Sequence, residues 1–213
     1  MCFITGWHYT LIVLILAATI YKLIEYKGAE QEWGDGLKGL SMSTARYALL
    51  RLEQGPPHTK NWRPQILVLS KLLNDTLQLK HAQILNFCQQ LKSGKGYYQI
   101  ATVIEGDILD ADVLAKSRAA ENALKNVVSQ SDLKGFTSVL VAKNVAQGIS
   151  SLIQTSGLGG LRHNTIVCGW PDRWKTNPAS ITTFISTIRH VAATNNALIV
   201  PKNIELYPMP RIF

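Results

Sequence analysis

A chain of 213 residues, 46% hydrophobic and 17% charged, is too apolar for a disordered segment and has room for one ordinary domain plus an appendage. Its net charge of +8 is unevenly spread: residues 22–53 balance five basic against five acidic side chains, whereas 58–98 set six basic residues against Asp75 alone. That local excess suits a solvated face, or phosphates and anionic lipid. Three scattered cysteines (Cys2, Cys88, Cys168), none in a C-x-x-C pair, exclude a disulfide framework and a structural zinc site and point to a reducing compartment.

In chain order, Met1 to Tyr21 carries no Asp, Glu, Lys or Arg, with LIVLILAATIY at its centre and Trp7, Tyr9 and Tyr21 towards its ends. A helix of this length covers about 31 Å, so residues 1–24 are expected to form one transmembrane helix. A secretory leader would need a basic n-region, but no Lys or Arg precedes Lys22. Lys22 and Lys27 follow the span, which places the rest of the chain on the cytoplasmic side. Residues 25–64 form a juxtamembrane linker: a glycine-rich exit, an amphipathic helix over 40–53, a stop at Gly55-Pro56-Pro57, and then HTKNWRP.

Over 65–201 the pattern alternates between apolar strands and amphipathic helices. Strands are expected at 65–72, 97–104, 136–142, 165–168 and 197–200, and helices at 82–91, 111–129, 145–154 and 180–194. Strands that are apolar at nearly every position, separated by helices, indicate an α/β domain with a doubly wound, mostly parallel five-stranded sheet. Residues 202–213 form a truncated or divergent tail.

Ligands of such sheets bind beyond the carboxyl ends of the strands, where strand order reverses. The residues there are Ser70 and Lys71, then Ile104, Glu105 and Gly106, then Gly169 and Trp170. The stretch TSGLGGLRHNTIVCGW contains Gly157-x-x-Gly160 and, after eight residues, Gly169. Universal stress proteins use a similar spacing around a phosphate loop, with a gap of nine residues and a Ser or Thr where Trp170 stands here. The glycines serve either as a tight turn before a buried strand or as a phosphate cradle. No Walker motif and no strand followed by G-x-G-x-x-G is present, Cys168 reads as a buried core thiol, and the five histidines have no ligand spacing. Catalytic and metal residues are therefore expected to be none.

The stretches IYKLIEYKGAEQEWGDGLKGLS, ARYALLRLEQGPPHTKNWRPQILVL, QLKSGKG, LKGF, GISSLIQTSGLGGLRHNTIVCGWP and TTFISTIRHV closely resemble the cation–chloride cotransporters, in particular their potassium–chloride branch. The resemblance implies an electroneutral symporter of the plasma membrane, working on potassium and chloride ions. It also implies a cytosolic C-terminal domain of universal-stress-protein-like fold that mediates homodimerisation and regulation, without enzymatic activity, a required cofactor or a nucleic-acid partner. ATP or ADP is implied as a regulatory ligand at Lys71, Thr102, Val103, Ile104, Gly159 and Gly160. The family's ion-binding residues lie on earlier membrane helices absent from this sequence, and the last residues of NIELYPMPRIF do not resemble the family. The expectation is thus a fragment: the last span and the first half of the cytosolic domain, not transport-competent alone. The alternatives are a membrane-anchored universal-stress-like nucleotide sensor and a piece of a sodium-coupled relative.

Overall fold

The computed structural model describes residues 6–27, 36–55, 59–73, 77–92, 96–130, 135–171 and 175–206. They belong to two compact units, Met1–Ala48 and Leu49–Phe213. In the first, α1 (Trp7–Lys27) is a 21-residue helix on which every side chain from Leu11 to Leu16 is exposed. Its side chains are described as far as Leu23, about 25 Å of helix. Among the described residues no helix is long and apolar enough to cross a membrane. The expected span over 1–24 is therefore not supported: residues 1–5 lie outside the described ones, and the helix starts at Trp7. Helix α2 (Gly36–Gln54) begins in the first unit and ends in the second.

The second unit is built on strands β1 (Gln65–Leu69), β2 (Tyr97–Glu105) and β3 (Phe136–Ala142), a small antiparallel pair β4 (Gly157–Leu158) and β5 (Leu161–Arg162), and strands β6 (Thr165–Cys168) and β7 (Ala197–Ile199). The five longer strands form one wholly parallel sheet in the order β3-β2-β1-β6-β7. A strand covered on both faces must be apolar at consecutive positions, and β1 shows the result. Ile66 and Val68 join Tyr98, Ile100 and Val167 in a core with Ile84, Leu85, Cys88, Leu124 and Val128, from helices α3 (Gln83–Lys92) and α4 (Ala111–Gln130). Leu67, between them, joins Ala101 and Ile166 in a second core with Leu152, Ile153 and Val191, from α5 (Val145–Thr155) and α6 (Pro178–Ala193). Each such fully buried aliphatic side chain contributes about 1.5–3 kcal/mol. The sheet is thus doubly wound.

A single 3₁₀ turn, Ile204–Leu206, inserts Ile204 into the first core, where α3 packs.

Candidate functional site

The chain adds β2 and β3 on one side of β1, then returns to add β6 and β7 on the other. This reversal leaves the carboxyl ends of β1 and β6 facing a gap that no crossover fills. A cleft of about 1050 Å³ opens there. Its floor is apolar, with Leu69, Ile84 and Leu152 among the lining residues. Ser70, just past β1, ties the floor to β2: its N–H and its hydroxyl both donate to the Ala101 carbonyl, at 2.8 and 3.1 Å. Next comes exposed Lys71, whose carbonyl accepts from Lys80 N–H at 3.0 Å, so the backbone that carries the ammonium is held. Thr102, Val103 and Ile104 follow along β2, with Thr102 and Ile104 buried.

Two helix starts border the same cleft. Asn144 caps α5, its side-chain oxygen accepting from Ala146 N–H at 2.8 Å, and Asn177 caps α6 by accepting from Ser180 N–H at 3.3 Å, with Pro178 in the first turn. Each cap satisfies one amide and leaves the positive end of the helix dipole at the rim. Lys71, Lys80 and Lys116 line the cleft, and Glu105 is the single carboxylate there among the described residues. At the end of β6, Trp170 packs against Phe184, with ring centroids 5.7 Å apart, and the Lys202 ammonium sits 5.6 Å above its ring. This combination of apolar floor, aromatic wall and basic rim suits a ligand with one flat or apolar part and one anionic part.

Cys168 also lines the cleft, but burial pushes its thiol up to about 11, and burial pushes Cys88 up to about 12. Both stay protonated at neutral pH and are poor nucleophiles. Among the described residues no group of His, Cys, Asp and Glu side chains could hold a metal ion.

Lys71, Thr102, Val103 and Ile104 are therefore brought to one cleft. Gly159 and Gly160 are not: they form the β4–β5 turn, which precedes β6 and so lies at the opposite, amino-terminal edge of the parallel sheet. There the Tyr97 hydroxyl, at the start of β2, donates to the Leu161 carbonyl at 2.7 Å and fixes the hairpin to the sheet. Burial raises the Tyr97 pKa, keeping the phenol a neutral donor. The turn faces the last residues of α2: a Cβ on Gly160 would lie 2.8 Å from Leu52 Cβ, and one on Gly159, where φ is +55°, 3.1 Å from Glu53 Oε2. What these glycines leave room for is a helix end. Sequence reading missed Asn144, Asn177 and Lys116. Asn-Val and Asn-Pro at helix starts are the capping signals that could have found the first two.

Residues 82–203, more than half of the chain, match the family model of solute carrier family 12. Among solved structures, the chain is similar to a universal stress protein from Archaeoglobus fulgidus, with 15% identity over 65% of this chain and 98% of that one and a TM-score of 0.43. It is similar also to the A. fulgidus universal stress protein in complex with dAMP, with 11% identity over 65% and 97% of the two chains and a TM-score of 0.43. A universal stress protein family protein from Arabidopsis thaliana with AMP bound is similar at 10% identity over 65% and 92%, with a TM-score of 0.40.

Proposed function

The chain belongs to solute carrier family 12, the cation–chloride cotransporters, and on that premise we propose that it acts within an electroneutral potassium–chloride symporter of the plasma membrane. Its part is the last membrane span, followed by a cytosolic regulatory and dimerisation domain whose cleft holds a nucleotide such as ATP or ADP. The observation that carries this reading is the cleft at the strand-order reversal. Lys71 would meet the phosphates beside the positive ends of α5 and α6, and Thr102, Val103 and Ile104 would lie against the base or sugar. Gly159 and Gly160, at the other edge of the sheet, have no part in it. The nucleotide is a regulatory ligand, bound and released unchanged, not a substrate.

The span reading rests on the exposed aliphatic run of α1 and on Lys22 and Lys27 after that run. Calorimetry of the full chain with ATP tests the ligand. Binding that Lys71→Ala weakens about tenfold or more is expected, in keeping with the loss of one charge-assisted contact. No heat at millimolar ATP overturns the reading. To test the branch, this chain replaces the matching segment of a potassium–chloride cotransporter, and chloride-dependent rubidium uptake is measured. Uptake should persist without sodium; a sodium requirement would place the chain in the sodium-coupled branch.

A further inference from the structure

The edge of the sheet opposite the cleft carries a surface that the nucleotide reading leaves unused. In sheet order it begins at β3, where Phe136 is 63% exposed and its ring meets Tyr97 of β2 edge-on, with centroids 5.9 Å apart. Tyr97 in turn holds the β4–β5 hairpin through the Leu161 carbonyl, and that hairpin presents Leu158, 67% exposed, and Arg162. Between them, just before β1, stand Trp62, 60% exposed, and Arg63. The Asn164 side chain, two residues past Arg162, donates to the Arg63 carbonyl at 2.8 Å and joins the two segments.

Across four adjacent strands this makes a band about 15 Å wide. Large apolar side chains project from it, and two guanidinium groups stand beside them. Arg63 is held in place, since its Nη1 donates to the carbonyls of Trp62 at 2.6 Å and Lys60 at 3.2 Å. Among the described residues neither guanidinium makes an ion pair. The core of the unit does not need Trp62, Leu158 or Phe136, which stay in contact with solvent.

An indole, a leucine and a phenyl ring with arginines beside them match the polar–apolar boundary of a bilayer: the rings enter the headgroup layer while the guanidinium groups pair with lipid phosphates. We propose that this amino-terminal edge is a contact surface for an anionic lipid bilayer, with Trp62 and Leu158 as its apolar anchors and Arg63 and Arg162 as its phosphate contacts. The proposal rests in part on the reading of this chain as part of a membrane protein.

The test is hydrogen exchange on the full chain with vesicles of phosphatidylcholine alone or with added phosphatidylserine. Amides of 59–63 and 157–162 should exchange severalfold more slowly with phosphatidylserine present, and raised salt should abolish the difference. The double variant Arg63→Glu/Arg162→Glu should lose the protection while its melting temperature and ATP binding stay unchanged. Equal exchange with both lipids overturns the proposal, as does protection that scales with protein concentration, which would mean self-association. Carbonate extraction separates the two readings. A chain retained in the vesicles but unprotected at this edge refutes the lipid surface alone, while a chain extracted yet protected with phosphatidylserine refutes the span alone.

Discussion

Gly160→Ala sets two accounts of the glycine turn against each other. If the turn cradles a phosphate, a methyl group there removes ligand affinity and leaves the fold alone. The structure gives the opposite expectation. The new Cβ would lie 2.8 Å from Leu52 Cβ, 3.1 Å from the Leu52 carbonyl carbon and 3.2 Å from its oxygen. Ordinary carbon–carbon contact is about 3.5–4.0 Å, so the methyl intrudes by about 0.7 Å or more. Two of the three atoms are backbone, so no rotamer change can relieve the overlap; either the end of α2 or the hairpin must shift. Overpacking of this kind costs about 1–3 kcal/mol, which lowers the melting temperature of a domain of this size by about 3–10 °C. Thermal unfolding of the full chain reads the loss, and calorimetry with ATP should give unchanged affinity. Gly160→Val should cost more than Gly160→Ala. Combining Gly160→Ala with Leu52→Ala should recover nothing of the loss, because alanine keeps the Cβ, carbonyl carbon and carbonyl oxygen that the new methyl meets. A Gly160→Ala protein of undiminished stability that binds ATP weakly would refute the reasoning and return the turn to the ligand.

Asn164→Ala should destabilise the second unit by about 2–3 kcal/mol. Its side-chain oxygen accepts from Gln65 N–H at 3.0 Å and from the Thr165 hydroxyl at 2.9 Å, and its amide donates to the Arg63 carbonyl at 2.8 Å; denaturant unfolding at neutral pH measures the cost. His163 is buried and its ring nitrogens complete no hydrogen bond. Burial lowers its pKa below the ordinary 6.5, the backbone at Ser156 and Ile153 opposes that shift, and the Arg162 charge adds to it. The unfolded chain therefore takes up the proton first: stability should be level above about pH 6.5 and decline as the pH falls below it, a slope that His163→Leu removes in melts at several pH values. Iodoacetamide should modify neither Cys88 nor Cys168 in the folded chain at neutral pH, and both should react once denaturant exposes them. Rapid labelling of Cys168 under native conditions would show a cleft floor more open than its burial implies.

The main sheet was legible because each of its strands is covered on both faces, which imposes continuous apolar runs such as QILVL and TIVC that few other structures need. The helices announce themselves through amphipathic spacing, and Asp110 caps α4 as its position suggests, accepting from Asp112 N–H at 3.0 Å. The β4–β5 hairpin left no such trace, since two-residue strands carry too little pattern to separate from a turn. Lys71 and Ile104 could be placed near one another from strand ends alone, because topology decides which loops share an edge, whereas Thr102 and Val103 were implied only by the family resemblance. The same rule sends Gly159 and Gly160 to the other edge, since they precede a strand; glycine spacing by itself carries no direction. Asn164, a lone polar residue before a strand, reveals its partners only when β1 and β6 lie side by side.

Because the strands of the main sheet all run the same way, the domain has two unlike ends separated by the length of β1, about 16 Å. Lys71 hangs from one end of that strand, and Trp62 and Arg63 lead into the other. Between them Ile66, Leu67 and Val68 are at most 1% exposed and packed on both faces, so no side chain along the way is free to change rotamer. An event at the cleft can reach the far edge only as a displacement of whole strands, in the manner of a rod. The substitutions that alter communication between the two ends should then be those that loosen the rod, such as Val68→Ala, while polar changes on the outer helix surfaces leave it intact.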